Sequence, residues 1–444
     1  MIGLDCNWSQ VGDDSSDVKV LLQRVQSILE YRLGCIVEKR AKNYDLVESK
    51  LNLTTPIETQ GKPNVAVRKF VERIFSLYHM ENGYHSFKHA AHVVFSVDKI
   101  IDMLIYEENK YAQEEYTNQG TVKRRWSTVS GRRMRYKNKH QDDTIKAATT
   151  RRWSTLATIR GIPDDGIRKN KTARRRSLFS RRNVGPYRLG EKEGTSYTLG
   201  LGKDPLIHFA LVFAALVHDV DHKGIPNKQL VAEGHELARI YKDDSIAELH
   251  SLTLAFSILH EKEFADLRQL IAATRGEKIV FRKLVTDLIL TTDISSKKRS
   301  EIVRNKWKSA FTLQNVINYI PTRKENVIEL KRNAILGQIM LVADIAHTMQ
   351  EWETFVKWNH NLFIEVSQAY HKGQCSIDAK DPSEIWFEDQ IGFFNGYVIP
   401  LAQRMVESGI FLNNGHEFVK RAKFNCERWK IEGRQICRTF FELQ

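Results

Sequence analysis

The feature that most limits which structures this chain can form is a long apolar run that ends in four ionisable side chains. The segment PLIHFALVFAALVHDVDH, residues 205–222, has apolar residues at helical spacing and then places His218, Asp219, Asp221 and His222 within five positions. Polar and charged groups are costly beside an apolar core unless something pairs with them. The segment therefore predicts an apolar helix whose end holds a polar site.

The rest of the chain repeats the helical pattern. Windows such as VKVLLQRVQSILEYR, VAVRKFVERIFSLYHM and LKRNAILGQIMLVADIAHTMQEW carry apolar residues three and four positions apart, and strand-like runs are rare. The five cysteines are scattered without a CxxC pair, so neither a sulfur zinc site nor a disulfide framework is indicated. Because no signal peptide or membrane-spanning run is evident, we expect a cytoplasmic protein. We predict an all-α fold larger than a four-helix bundle.

The net charge of +14 is concentrated in one segment. Residues 121–182 contain 20 Lys and Arg against four Asp, so the remainder of the chain is close to neutral. The surrounding range 109–203 is poor in apolar residues and rich in Arg, Lys, Ser, Thr and Gly, which predicts a largely disordered basic insertion.

Three Arg-Arg-x-Ser motifs in this insertion resemble substrates of cyclic-nucleotide-dependent protein kinases. The candidate phosphorylation sites are Ser127, Ser154 and Ser177, and each phosphate would add about −1.5 to −2 charge. The alternatives are a solvated linker and attachment to an anionic surface through charge alone. We expect no nucleic-acid partner, and we expect membrane contact only through this insertion.

Three groups of polar side chains on different helices predict a metal centre. His89 lies one helical turn after His85, His218 and Asp219 end the apolar run, and Asp344 stands within the apolar stretch ILGQIMLVADIA. Imidazole nitrogens and carboxylate oxygens together suit a zinc-like ion, which is an economical way to bury such groups. Asp219 has a second oxygen that can reach a harder ion, Mg²⁺ or Mn²⁺. Two such ions serve phosphoester hydrolysis, with a nearby histidine as general acid.

Six motifs occur in the same order as in the class I 3′,5′-cyclic nucleotide phosphodiesterases: YHSFKHA, ALVHDVDHKGIPN, IYKDDSIAELH, LTTDIS, LVADIAH and QIGFF. The resemblance to the catalytic domain of this family covers roughly residues 63–107 and 205–433. It implies a multi-helical HD-type domain that hydrolyses cAMP, cGMP or both to 5′-monophosphates and so ends cyclic-nucleotide signals. The implied organisation is an N-terminal helical segment, 1–62, and a catalytic domain in two parts, 63–108 and 204–444, separated by the insertion, 109–203.

The resemblance also assigns roles to individual residues. The ligands of the first metal ion, Zn²⁺, would be His89, His218, Asp219 and Asp344. Asp219 would also reach the second ion, Mg²⁺ or Mn²⁺, and His85 would be the general acid, oriented by Glu248. Residues that support metal-bound waters or surround the pocket would be His222, His250, Asn227, Thr292 and Asp293. The substrate would be bound by Gln390, which hydrogen-bonds the purine, by Phe393, which stacks on it, and by His347.

The chain departs from the family pattern at Ser86, where Asn is usual, at His92, where Asp is usual, and at Phe95, where Gln is frequent. No matched metal ligand is lost, so we expect an active enzyme. Two alternatives remain: an HD-type phosphohydrolase acting on another nucleotide, and a catalytically inactive scaffold that binds cyclic nucleotides.

Overall fold

The structure is a computed structural model that describes residues 17–51, 63–129, 196–311, 321–375 and 379–442. No β-strand occurs in these ranges, and the all-α prediction is confirmed. The helices are α1 (Val18–Leu51), α2 (Pro63–Phe75), α3 (Phe87–Val129), α4 (Pro205–Val217), α5 (Asn227–Ala232), α6 (Glu236–Tyr241), α7 (Ile246–His260), α8 (Ala265–Ile271), α9 (Arg275–Ile289), α10 (Lys297–Phe311), α11 (Pro321–Asp344), α12 (Trp352–His371), α13 (Pro382–Phe393), α14 (Ile399–Glu407) and α15 (Leu412–Glu442). A 3₁₀ turn, Ala346–Met349, follows α11, and a π-helical turn, Phe394–Val398, joins α13 to α14.

None of the described helices combines the length and apolarity that a membrane span requires, and the cytoplasmic location stays a prediction.

Helix α4 is buried along almost its whole length. Pro205 occupies its first position, and Asp204 caps it by accepting hydrogen bonds from the amides of Leu206 (3.1 Å) and Ile207 (3.4 Å). Every residue from 206 to 217 is buried, as a helix that is apolar on all faces requires. Helices α1, α9 and α11 pack against it. The residues that follow α4 therefore start from a fixed place in the interior.

The N-terminal helix belongs to the same core. One face of α1, which includes Val25 and Leu29, is fully buried. Arg32 on this helix is also buried, and its guanidinium lies 2.6 Å from a carboxylate oxygen of both Asp98 and Asp102 on α3. Over its described residues, the predicted segment 1–62 thus shares the core of α2, α3 and α4.

The chain divides into two compact units, one formed by residues 1–114 with 191–444 and the other by residues 115–190. The described part of the second unit is the end of α3. Ser154, Ser177 and the side chain of Ser127 lie outside the described residues, as does most of the predicted disordered insertion. Phosphorylation of these serines stays a prediction.

A buried carboxylate anchors the segment that precedes α4. Glu108 accepts hydrogen bonds from the Ser196 hydroxyl and the Thr198 amide, each at 2.9 Å, and lies 2.8 Å from Nζ of Lys203. Thr198 and Leu201 are fully buried. Residues 196–203 therefore belong with the helical core rather than with the predicted insertion.

Candidate active site

Four side chains from three helices meet in one buried cluster. His89 lies in the first turn of α3, His218 and Asp219 follow α4, and Asp344 ends α11. Nε2 of His89 is 3.1 Å from Asp344 Oδ1 and 3.8 Å from Asp219 Oδ2. Nε2 of His218 is 3.0 Å from Asp219 Oδ2 and 3.3 Å from Asp344 Oδ1. The structure brings together the four residues predicted to bind the first metal ion.

The chemistry of this cluster fits a cation. Nδ1 of His218 donates a hydrogen bond to the carbonyl of Ala215 (2.9 Å), so Nε2 faces the carboxylates; burial opposes a charge on this ring, but Asp219 and Asp344 outweigh it and raise its pKa. That Nε2 atom is buried, and no described residue forms a hydrogen bond with it. Asp219 and Asp344 lie at the C-terminal ends of helices, where the helix dipole disfavours negative charge. A bound cation would compensate both effects.

The two carboxylates of the cluster stay ionised. Burial alone would raise the pKa of Asp219 and of Asp344, but the neighbouring imidazoles hold both pKa values below the usual range. Burial lowers the pKa of His89, which favours the neutral ring that a metal ion requires. The donor set is therefore two imidazoles and two carboxylates.

A second pair of side chains lies beside the cluster. Nδ1 of His85 contacts Oε1 of Glu365 on α12, and Oε2 of the same carboxylate accepts hydrogen bonds from the amides of Tyr84 (2.8 Å) and His85 (2.9 Å). Burial opposes a charge on His85, but the Glu365 carboxylate outweighs it and raises the pKa of His85 to about 9. Because Nδ1 is engaged, the proton that His85 can donate is on Nε2. This histidine has the properties of a general acid.

The ring of His222 stacks on that of His85, with centroids 3.9 Å apart and 22° between the ring planes. Burial, and then the positive charge of His85, lower the pKa of His222 to about 4. His85, His222 and Glu365 form a second group of metal-ligand types among the described residues. A metal ion bound by two imidazoles lies in both ring planes, which stacked and nearly parallel rings do not allow. This group suits proton transfer better than metal binding.

The two residues predicted to hold the base, Gln390 and Phe393, are on α13. Gln390 is buried, and Phe393 lies one helical turn later. The ring of Phe393 stacks on that of Tyr397, with centroids 5.5 Å apart and 20° between the planes. Gln390 and Phe393 thus share a helix face, as their spacing predicts.

His347 adjoins the metal cluster from the 3₁₀ turn after Asp344. Its buried ring lies 5.8 Å from that of Tyr84, whose ring is 4.3 Å from that of His89. His92, which stands where the family usually has Asp, hydrogen-bonds through Nε2 to Oε1 of Gln350 (2.8 Å) at the end of the same turn. The unusual histidine is therefore part of the packing that positions this turn.

Comparisons with known proteins agree with this site. Residues 201–413 match the family model described as 3′5′-cyclic nucleotide phosphodiesterase. The protein of Caenorhabditis elegans named "Probable 3′,5′-cyclic-AMP phosphodiesterase pde-4" is 28% identical over 210 residues, which is 43% of this chain and 28% of that protein. The bovine dual specificity calcium/calmodulin-dependent 3′,5′-cyclic nucleotide phosphodiesterase 1B is 24% identical over 199 residues, again 43% of this chain and 33% of that protein. These matches support a class I 3′,5′-cyclic nucleotide phosphodiesterase catalytic domain in this chain.

The fold agrees with solved phosphodiesterase domains. The crystal structure of the phosphodiesterase domain of the RhoPDE fusion protein from the choanoflagellate Salpingoeca rosetta superposes with a TM-score of 0.55 at 17% identity, over 98% of this chain and 96% of that one. The aligned segments cover about a third or less of the two curated relatives named above. His85 and His89 precede the residues that match the family model, and the tertiary structure places them in its site.

The prediction that Glu248 orients the general acid is wrong. The carboxylate at Nδ1 of His85 belongs to Glu365, whereas Glu248 accepts a hydrogen bond from Nδ2 of Asn227 (2.9 Å). Burial, and then the negative charge of Asp293, raise the pKa of Glu248 to about 7. The physical reason is the position of α12, which brings its acidic residue against the turn that precedes α3.

The other predicted polar residues have structural partners. Asp293 accepts hydrogen bonds from the Ser245 hydroxyl (2.8 Å) and the Ser296 amide (3.1 Å), and the Thr292 hydroxyl donates to the carbonyl of Ile289 (2.8 Å). These bonds hold the turn between α9 and α10. Roles of these residues at the pocket stay predictions.

Asp221 belongs to the polar end of the apolar run, but the sequence predicts no role for it. Its carboxylate oxygens lie 2.6 Å from Nε2 of His79, 2.7 Å from Nε2 of His250 and 2.8 Å from Nζ of Lys223. Its φ is 60°, a left-handed conformation that is uncommon for a residue with a side chain. The predicted residue His250 is therefore held by Asp221. Its support of metal-bound waters stays a prediction.

The local sequence around Glu365 also indicates a buried acid. It lies in the apolar stretch NLFIEVSQAY, and a carboxylate in an apolar helical stripe is the same signal that identified Asp344. The histidine that Glu365 contacts, His85, is 280 positions away in the chain. Local pattern could have identified a buried acid but not the histidine that it orients.

Proposed function

We propose that this domain hydrolyses 3′,5′-cyclic nucleotides to 5′-nucleoside monophosphates in a metal-dependent reaction that ends cyclic-nucleotide signals. The observation that supports it most is the meeting of a two-His, two-Asp cluster with an acid pair, His85 and the buried Glu365. Membership of the phosphodiesterase family supplies the reaction type. The aligned segments cover about a third or less of the curated relatives. The activity of the whole protein is therefore part of this proposal.

The residues that would hold the ions are those of the cluster. His89, His218, Asp219 and Asp344 would bind Zn²⁺, and the second oxygen of Asp219 would reach Mg²⁺ or Mn²⁺. When bound, the ions would supply electrophilic activation of the phosphate and of a water molecule.

The chain's own contribution to the chemistry is a positioned proton. His85 is protonated at neutral pH because Glu365 stabilises its cation. As the P–O3′ bond breaks, Nε2 of His85 would give its proton to the departing O3′, and Glu365 would keep the ring in the orientation required. His222, whose ring stacks on that of His85, is neutral at this pH. The acidic proton of the stacked pair is therefore the one on His85.

The nucleotide would be held at its other end by α13. Gln390 would hydrogen-bond the purine edge and Phe393 would stack on the ring, with His347 close to the cluster. The relatives are named as cyclic-AMP and as dual-specificity enzymes. We propose cAMP, or both nucleotides, as substrate. The Arg-Arg-x-Ser motifs further suggest feedback by a cAMP-activated kinase on the insertion, which a phosphorylation assay on the three serines would test.

The test is hydrolysis of cAMP and of cGMP by the purified full chain with Mg²⁺, with and without a strong chelator. We expect formation of the 5′-monophosphate, its loss with the chelator, and a fall of about a thousandfold or more in kcat/KM for Asp219→Asn. Asp266→Asn makes the same chemical change at an exposed position on α8 and should leave turnover unchanged.

Three results would point elsewhere. Hydrolysis of other phosphoesters but of neither cyclic nucleotide would favour an HD-type phosphohydrolase of another specificity. Binding of cyclic nucleotide without turnover, with metal present by elemental analysis, would favour a scaffold. Turnover that survives both the chelator and Asp219→Asn would remove the metal cluster from the mechanism.

A further inference from the structure

Tyr397 has a buried hydroxyl that no described residue satisfies. Its oxygen is shielded from solvent and has no hydrogen-bond partner among the described residues. Buried hydroxyls are normally paired, because leaving one unpaired costs stability. By contrast, the buried hydroxyl of Tyr78 donates to the carbonyl of Leu216 at 2.7 Å.

The surroundings of this hydroxyl connect it to the metal cluster. Burial, and next the negative charge of Asp344, raise the pKa of Tyr397, and the positive charge of Arg404 opposes them. The hydroxyl is therefore protonated at neutral pH and lies in the field of both groups. Neither is its partner: Arg404 instead donates to Oε1 of Gln338 (3.4 Å).

The π-helical turn places Tyr397 on the base-binding face. Gln390 and Phe393 share a face of α13, and Tyr397 follows within the turn Phe394–Val398. Tyr397 is four positions after Phe393, and residues four apart in a helical segment lie on the same face. The stacking of Tyr397 on Phe393 shows this return. Gln390, Phe393 and Tyr397 form one stripe, and the charge of Asp344 acts on the Tyr397 hydroxyl.

A cyclic nucleotide has its sugar between base and phosphate. If Phe393 stacks on the base and the cluster takes the phosphate, the ribose lies between them, and a hydroxyl that shares the face of Phe393 and lies in the field of Asp344 is suited to meet it. We infer that Tyr397 is a substrate-binding residue whose hydroxyl forms a hydrogen bond with the ribose 2′-hydroxyl of the cyclic nucleotide. This inference rests on the proposed function and adds a site of sugar recognition to it.

The test compares cAMP with 2′-deoxy-cAMP in the wild-type chain and in Tyr397→Phe, which removes only the hydroxyl. We expect the wild type to prefer cAMP by about three- to tenfold in kcat/KM, as the loss of one hydrogen bond implies. Tyr397→Phe should lower kcat/KM for cAMP to the level of 2′-deoxy-cAMP and leave the deoxy substrate unaffected.

Thermal unfolding of the ligand-free variants distinguishes a substrate-binding role of Tyr397 from a structural one, because loss of a structural hydrogen bond would lower Tm. Tyr397→Phe should not lower Tm, because the hydroxyl it removes has no protein partner among the described residues. Tyr78→Phe, the matched control, should lower Tm, because it removes a buried hydrogen bond.

Four results would overturn the inference. They are equal activity of the wild type on both substrates, a preference for cAMP that survives in Tyr397→Phe, an equal loss on both substrates in that variant, and a fall in its Tm like that of Tyr78→Phe. If the wild type neither hydrolyses nor binds any cyclic nucleotide, the proposed function fails and this inference fails with it. A wild type that hydrolyses both substrates equally overturns the inference alone.

Discussion

Replacing Glu365 by glutamine should move the pH dependence of catalysis, because the charge of Glu365 is what keeps His85 protonated. In the wild type the pKa of His85 is about 9, although burial acts to lower it. The substitution Glu365→Gln keeps the size of the side chain and removes its negative charge. Burial would then act without its main opponent, so the pKa of His85 should fall to the ordinary value of about 6.5 or below.

The magnitude follows from the protonated fraction. At pH 7.5 a group with a pKa of about 9 is almost fully protonated, whereas one at about 6.5 is protonated in roughly a tenth of the molecules. The raised pKa means that the acid form is present below about pH 9 and is lost as the pH rises through that value. In Glu365→Gln the acid form of His85 should be lost as the pH rises through about 6.5 or a lower value. At pH 7.5 kcat/KM should therefore be lower than in the wild type by about tenfold or more.

The assay is the pH profile of kcat/KM for cyclic nucleotide hydrolysis in both proteins. The descending limb should move from near pH 9 to about pH 6.5 or lower. Glu417→Gln, which removes a charge of the same kind from the ion pair with Arg421 on α15, should leave the limb in place. A Glu365→Gln profile that falls at the same pH as the wild type would refute the assignment of His85 as an acid controlled by Glu365.

Two further predictions concern stability, and both are checked by urea unfolding. Arg32→Met should lower the free energy of unfolding by about 3 kcal/mol, because it leaves two carboxylates of α3 without their buried partner, whereas Lys430→Met at an exposed pair should have little effect. Equal effects would mean that the buried pair is no more important than a surface one. Gly202→Ala should destabilise by about 1–3 kcal/mol, because its Cβ would lie 2.6 Å from a backbone carbonyl oxygen of α3, while Gly34→Ala, with open space around its Cβ on α1, should stabilise by about 0.5–1 kcal/mol. A tolerated Gly202→Ala would show that residues 196–203 are not packed as described.

The contacts of Asp221 show what the motif ALVHDVDHKGIPN does not specify. The sequence places it between two residues with assigned roles, yet no local pattern distinguishes it from a solvated aspartate. In the structure it joins His79 to His250, which approach from different parts of the chain. Such a junction depends on which helices pack together, and sequence spacing does not specify that.

The sequence by itself determined the helical class and the residues of the candidate metal cluster. Helical periodicity is local, and the cost of burying His218, Asp219 and Asp344 next to apolar runs makes a shared cation the economical explanation. The tertiary structure decided which carboxylate faces His85 and where the hydroxyl of Tyr397 lies. Glu365 and Glu248 are both acidic residues on helices, and only the position of α12 beside the turn that precedes α3 selects one of them. A ligand set can be read from residue types because chemistry limits it, whereas the partner of a given side chain is set by the positions of whole helices.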